Sequence, residues 1–185
     1  MKIEARITVI SFLLIIVLTA ALPLPAIAEV LGFDDLQQSQ QVPIGYRGYY
    51  FMNLIATDLS KQTWIGYMPC SGSIAADSTV NENAWVSTIL PGKSGRLIDF
   101  DGACLSTYGG KWAPTQLTVN GYRGGQLIKS IVMPLRADAM EYYGFRMLGV
   151  DTVEFVSNGT VGGYILIDNL TISEARNTAV PFLLQ

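Results

Sequence analysis

Leu117-Thr118-Val119-Asn120-Gly121-Tyr122-Arg123-Gly124-Gly125-Gln126-Leu127-Ile128-Lys129-Ser130-Ile131-Val132 decides the fold class. Leu117, Val119 and Gly121 alternate with Thr118 and Asn120, the period of a strand with one buried face. Arg123-Gly124-Gly125 then supplies a turn before a second β-rich run, which makes a hairpin with a glycine-containing loop. Working outward, no helical apolar period is sustained. Short runs rich in Val, Ile, Thr, Tyr and Phe recur, separated by Gly, Pro, Asn and Asp. Strands are expected near 31–36, 49–55, 62–68, 84–90, 95–106, 115–122, 126–134, 143–148, 150–156 and 163–173. Such spacing indicates an all-β sandwich or barrel.

The first 28 residues stand apart. Lys2 and Arg6 open a basic start, Ile7 to Leu22 is apolar, Pro23 and Pro25 break the run, and Ala26-Ile27-Ala28 ends it. This is the plan of a cleaved secretory signal peptide; the alternative is an uncleaved anchor. The expected division is 1–28 signal peptide, 29–173 β-domain and 174–185 C-terminal tail. No stable membrane span remains after cleavage, and the expected localisation is secreted or cell-surface. Net charge is −3 with no His, so nothing suggests nucleic acid as a partner. Cys70 and Cys104 are the two cysteines. In an exported chain they read first as one disulfide, and otherwise as two unpaired thiols.

Two acidic motifs bracket the β-domain: Gly32-Phe33-Asp34-Asp35-Leu36 and Tyr164-Ile165-Leu166-Ile167-Asp168-Asn169-Leu170-Thr171-Ile172. Each sets an Asp in or beside an apolar run, where an unpaired carboxylate is costly. Oxygen-rich calcium coordination would offset that cost, so Asp34, Asp168 and Asp35 are candidate ligands. The alternative is that Asp34 and Asp35 are solvated and Asp168 caps a turn.

The order of these motifs resembles a known group. After the first acidic motif come Val42-Pro43-Ile44-Gly45-Tyr46-Arg47-Gly48-Tyr49-Tyr50-Phe51-Met52-Asn53, then Ser71-Gly72, Ala75-Ala76, Gly95-Arg96-Leu97-Ile98-Asp99-Phe100, the hairpin, Val153-Glu154-Phe155-Val156-Ser157 and the final motif. This is similar to secreted β-jelly-roll domains of the galactose-binding-domain-like, carbohydrate-binding-module type, as in microbial proteins with a PEP-CTERM sorting tail. The resemblance implies an antiparallel two-sheet jelly-roll sandwich with a structural calcium between first and last strands, carried by Asp34 and Asp168. The chain shows no Pro-Glu-Pro motif or basic tail, which implies a released product.

Lack of His removes Ser-His and Cys-His catalysis and most catalytic zinc sites. Asp99, Asp101, Glu141, Asp151 and Glu154 form no pattern that assigns a glycosidase acid and nucleophile. The expectation is no enzyme. It is a non-catalytic module for an extracellular glycan or cell-surface polymer, with sugar rings stacking on aromatic side chains. Trp112, Tyr108, Tyr67 and Trp64 are the candidate ligand contacts, with Tyr108, Tyr67 and Trp112 expected to be exposed on loops. Trp85, inside Ala84-Trp85-Val86, is expected in the core. The alternatives are a structural or adhesive domain with protein partners and, behind it, a glycan-active enzyme.

Overall fold

The computed structural model describes residues 27–63, 65–78, 83–88, 95–109, 113–158 and 164–175. Eleven strands run through them. They are β1 (Glu29–Leu31), β2 (Tyr50–Met52), β3 (Leu54–Asp58), β4 (Ile74–Ser78), β5 (Ala84–Ser87) and β6 (Ile98–Thr107), then β7 (Gln116–Arg123), β8 (Gln126–Pro134), β9 (Glu141–Val150), β10 (Thr152–Ser157) and β11 (Ile165–Glu174). One sheet has the order β3-β4-β11-β6-β9, with β1 beside β11; the other has the order β2-β5-β10-β7-β8. All of these pairings are antiparallel. The chain changes sheet at most connections, which makes the fold a two-sheet jelly-roll sandwich.

Alternation places the core between the sheets. Leu117, Val119, Val153 and Phe155 from one sheet meet Phe100, Leu105, Phe145 and Met147 from the other. Phe100 stacks on Phe145 with ring centroids 5.5 Å apart and meets Phe155 edge-on at 6.1 Å. Gly121 has no side chain for a packing reason. A Cβ there would lie 2.9 Å from Met147 Sδ and 3.0 Å from Val150 Cγ1.

Three expectations are corrected. The run 49–55 is two strands in different sheets, because Asn53 takes a left-handed φ of +59° and turns the chain between them. The run 31–36 is not one strand: β1 ends at Leu31, and Asp34 and Asp35 sit in a turn. The described residues of 62–68 form no strand. They belong instead to the β3–β4 connection, which covers part of the outer face of the six-stranded sheet. Leu59, Ile65 and Tyr67 pack there against Ala75, Tyr108 and Leu166. That cover explains why β6 and β11 are buried on both faces. Conversely, β4 escaped the sequence reading because Ala75-Ala76-Asp77-Ser78 has weak β-propensity. Its small side chains are what the covered sheet admits.

Cys70 and Cys104 form a disulfide with Cα atoms 6.3 Å apart, pinning this connection to β6. It closes a loop of 34 residues in sequence separation, worth about 3–4 kcal/mol in the chain-entropy model. Replacing both cysteines by Ala should lower unfolding free energy by about that amount in a denaturant titration. It should also expose 59–69 to limited proteolysis. A loss below about 1 kcal/mol with an unchanged digestion pattern would contradict the clamp.

Candidate functional site

The two acidic motifs do meet. β4 pairs with β11 at Leu166 and Ile167, and β1 pairs with β11 at Leu170 to Ile172. Between these contacts lie Asp168 and Asn169. Asn169 has φ +48°, and the β6 register slips between Asp168 and Thr171. The strand therefore bulges where one neighbour gives way to the next.

Into that gap come Ser71 and Asp34. Ser71 N donates to Asp168 Oδ2 at 2.9 Å, and Ser73 N and Ile74 N donate to Asp34 Oδ1 at 2.9 and 3.1 Å. Gly72 is required: its φ is +53°, and a Cβ would stand 1.9 Å from Asp34 Oδ1. Asp168 is fully buried. Burial pushes its carboxyl pKa up, hydrogen bonds from the Ser71 and Asn169 backbones pull it down, and the nearby Asp34 charge pushes it up again.

Oxygen acceptors here outnumber donors. The single Ser71 hydroxyl proton faces Asn169 Oδ1 at 2.9 Å and Asp34 Oδ2 and Asp168 Oδ2 at 3.4 Å each. Asp168 Oδ1 is buried without a partner among the described residues. None of the described ion pairs brings a Lys or Arg to either carboxylate. An all-oxygen set with an orphaned carboxylate oxygen fits a hard cation. No trio of His, Cys, Asp or Glu gathers among the described residues. A cation would therefore complete its shell from the Asn169 amide, the Ser71 hydroxyl, backbone carbonyls and water. Asp35 stands apart. Its carboxylate accepts from the Tyr46 hydroxyl and pairs with Arg47 at 2.8 Å.

Of the aromatic candidates, Tyr108 and Tyr67 come together in one cluster under the β3–β4 connection. Trp64 and Trp112 lie outside the described residues. Tyr108 is not an exposed loop residue: it is buried, its hydroxyl donating to Asp77 Oδ2 at 2.6 Å and its ring edge-to-face with Tyr164 at 5.3 Å. Tyr67 is half-buried, its hydroxyl donating to Thr107 O at 2.7 Å. Both hold the β3–β4 cover in place.

Trp85 is the opposite correction. Ala84 and Val86 are fully buried, so strand alternation turns Trp85 outward, where it is half-buried. Its ring lies 6.0 Å from that of Tyr122, tilted by 32°. Between their strands runs β10, whose Glu154 points to the same face. Glu154 Oε1 accepts from Asn83 Nδ2 at 2.7 Å. Its Oε2 accepts from Tyr122 OH at 2.7 Å and Asn120 Nδ2 at 3.1 Å. Ser130 Oγ donates to Asn120 Oδ1 at 2.7 Å. Met52, Trp85, Glu154, Asn120 and Ser130 thus form one row in register across all five strands, a width of about 19 Å at ordinary strand spacing. The signal was available in the alternation of 84–86 and of 117–122.

Three of the other flagged acids serve the backbone or an exposed pair. Asp99 Oδ1 accepts from Gly149 N, Asp151 Oδ2 accepts from Gly124 N, and Glu141 pairs with Arg136.

No family model matches the chain, and no curated protein matches it. Among solved structures, the K2 cleaved adhesin domain of Lys-gingipain superposes with a TM-score of 0.51 at 9% identity, covering 79% of this chain and 99% of that one. The xylanase 10B CBM22-1–GH10 chain of Clostridium thermocellum, complexed with xylohexaose, gives 0.42 at 12% identity, over 80% of this chain and 28% of that one. TmCBM61 in complex with β-1,4-galactotriose gives 0.38 at 14% identity, over 75% and 99%. The adhesin superposition matches the fold described above.

Asp77 offers a pH test of this region. Burial raises its carboxyl pKa to about 7, against opposing hydrogen bonds from Tyr108 and Thr57. A raised carboxyl pKa means that folding stability is fullest below the unfolded value near 4 and declines as pH rises toward 7. The stability of the wild type relative to Asp77→Asn should therefore fall between pH 4 and 7, read by parallel denaturant titrations. A pH-independent difference would contradict the burial of this charge.

Proposed function

We propose that this chain is an extracellular, non-catalytic binding module. It takes a carbohydrate polymer along the outer face of the β2-β5-β10-β7-β8 sheet. The observation that carries the reading is the Trp85–Tyr122 surface over the hydrogen-bonded Glu154. Apolar sugar faces stack on such rings, and neighbouring amides and hydroxyls fix their orientation. Glu154 has both oxygens engaged by side-chain donors, a role in holding the platform and not in proton transfer. The disulfide suits an exported protein. Among the described residues no helix is long and apolar enough to cross a membrane.

The test is a polysaccharide pull-down across plant, algal and microbial glycans, followed by affinity electrophoresis on any hit. Trp85→Ala should weaken retention at least tenfold while leaving the melting temperature within a few degrees. Absence of any glycan hit, or full retention by that variant, would sink the reading.

Calcium belongs to the same reading as a structural ion. The proposed ligands are Asp34, Asp168 and Asn169, with Ser71 beside them. When bound, it supplies positive charge to two close carboxylates and ties β1 and β4 to β11. Calcium should raise the melting temperature of chelator-treated protein by several degrees, and Asp168→Asn should abolish that response. Equal melts with and without calcium, and no metal by elemental analysis, would remove calcium from the proposal.

A second reading, an adhesive domain with a protein partner, is favoured by one feature. Edge strand β8 presents Leu127, Ile128 and Val132 at 48–56% exposure, and exposed edges recruit other chains.

A further inference from the structure

We propose that the Cys70–Cys104 disulfide is a redox switch for the cation site at the junction of β1, β4 and β11. Closed, it holds the strap 71–73 against Asp168 and Asp34, and the site grips calcium. Reduced, it frees the strap, and the grip is lost. This switch presupposes the calcium reading above and adds the regulation of that same site.

Bond and site are coupled residue by residue. Cys104 on β6 and Asp168 on β11 are directly opposed, and opposed residues of an antiparallel pair project to the same face. Two consecutive residues of the β3–β4 connection engage that pair. Cys70 bonds Cys104, and Ser71 N donates to Asp168 Oδ2 at 2.9 Å. The Ser71 hydroxyl donates to Asn169 Oδ1 at 2.9 Å. The turn that follows reaches Asp34, whose Oδ1 accepts from Ser73 N and Ile74 N. Every proposed ligand is therefore on this strap or touched by it.

The disulfide is what orders the strap in advance. Upstream, the Tyr67 hydroxyl donates to Thr107 O at 2.7 Å. Downstream, Leu59 N donates to Ser73 O at 2.8 Å, and β4 begins at Ile74. Between these anchors the covalent fixed point is Cys70, and Ser71 makes its bonds to the site from the very next position. A strap already in place adds no ordering cost when a ligand binds. A free one adds that cost at every binding event, and the affinity falls accordingly.

Access to the bond is one-sided: Cys70 is exposed, whereas Cys104 is 3% exposed. A dithiol reductant therefore attacks Cys70 Sγ. Its thiolate forms a mixed disulfide with Cys70, the Cys70–Cys104 bond breaks, and Cys104 leaves as a thiolate that takes up a proton. The second thiolate of the reductant then displaces Cys70, which is protonated in turn. The dithiol is oxidised to its own disulfide, and two electrons and two protons pass to the protein. The reverse exchange, with a disulfide oxidant in an oxidising compartment, assembles the site. The chain thus acquires its cation only after the bond has closed.

The experiment titrates chelator-treated exported protein with calcium, oxidised and after reduction by dithiothreitol, and reads binding by calorimetry. Reduction should weaken calcium binding at least tenfold. By linkage, calcium should make the disulfide harder to reduce by the same factor, a midpoint about 30 mV more negative for tenfold. The double variant Cys70→Ala, Cys104→Ala should bind calcium as the reduced protein does. Val153→Ala, which lowers stability from the other sheet, should keep the oxidised affinity. On reduction, amide exchange should quicken at Ser71 and Ser73 and stay slow in β7 and β10. Equal calcium affinity in both redox states, or a midpoint that calcium leaves unmoved, would overturn the switch while the calcium reading stands. So would an equal loss of affinity in Val153→Ala, or unfolding of β7 and β10 on reduction, since the effect would then be one of general stability. No calcium binding in either state would remove the calcium reading and the switch together.

Discussion

Asp168 is a fully buried carboxylate on the strand that most of the six-stranded sheet leans on. β11 pairs with β6 on one edge and with β4 and then β1 on the other. The point of exchange between β4 and β1 is the one place on that edge where strand backbone cannot satisfy strand backbone. Side chains have to do it. Asp168 and Asp34 accept the backbone N–H groups of Ser71, Ser73 and Ile74, fixing the turn that launches β4. Two carboxylates in so small a space repel each other, and burial adds to the cost. The acidic pair therefore organises the sandwich and at the same time carries an electrostatic cost of its own.

The disulfide belongs to the same locus. Asp168 is the cross-strand partner of Cys104, and Ser71 follows Cys70. Closing the disulfide thus delivers Ser71 to Asp168. It also lays the β3–β4 connection over the outer face of this sheet, sealing Ala75, Leu166 and Tyr108 from water. The consequence is an asymmetric sandwich. One sheet is covered on its outer face where the connection packs on β4 and β11, while β9 leaves Tyr142 and Leu148 exposed. The other keeps a polar and aromatic outer face that nothing in the described chain covers.

Much of this was legible in the sequence, and the failures have physical causes. The 117–132 hairpin was clear because its alternation and its Gly-Gly turn agree. The closeness of the acidic motifs was inferable because buried carboxylates demand partners. The division of 49–55 was not, since only the left-handed Asn53 reveals it, and Asn adopts that conformation without announcing it. β4 was invisible because alanines chosen for a crowded, doubly covered strand carry no β-signal. Tyr108 and Tyr67 were misplaced for a related reason. Loop position suggested exposure, yet the β3–β4 connection carrying Tyr67 folds back on the sheet, and Tyr108, just past the end of β6, is buried against it. Trp85 differs in the opposite sense: its apolar neighbours Ala84 and Val86 suggest the core, but the two-residue period of the strand buries them and turns Trp85 to the outer face.

Glu154 shows why that error matters. A carboxylate at 6% exposure on the open face of a sheet gains little stability over an apolar residue of similar volume, because its desolvation offsets its hydrogen bonds. Its three donors come from Asn83 ahead of β5 and from Asn120 and Tyr122 on β7, so it ties together side chains from both neighbouring strands. Through the Tyr122 hydroxyl it sets the height and tilt of one ring beside Trp85. A face built only to be stable would be simpler with leucine there. A face that has to present two aromatic rings at fixed spacing, with amide and hydroxyl groups held beside them, has use for a buried acceptor that all of them share.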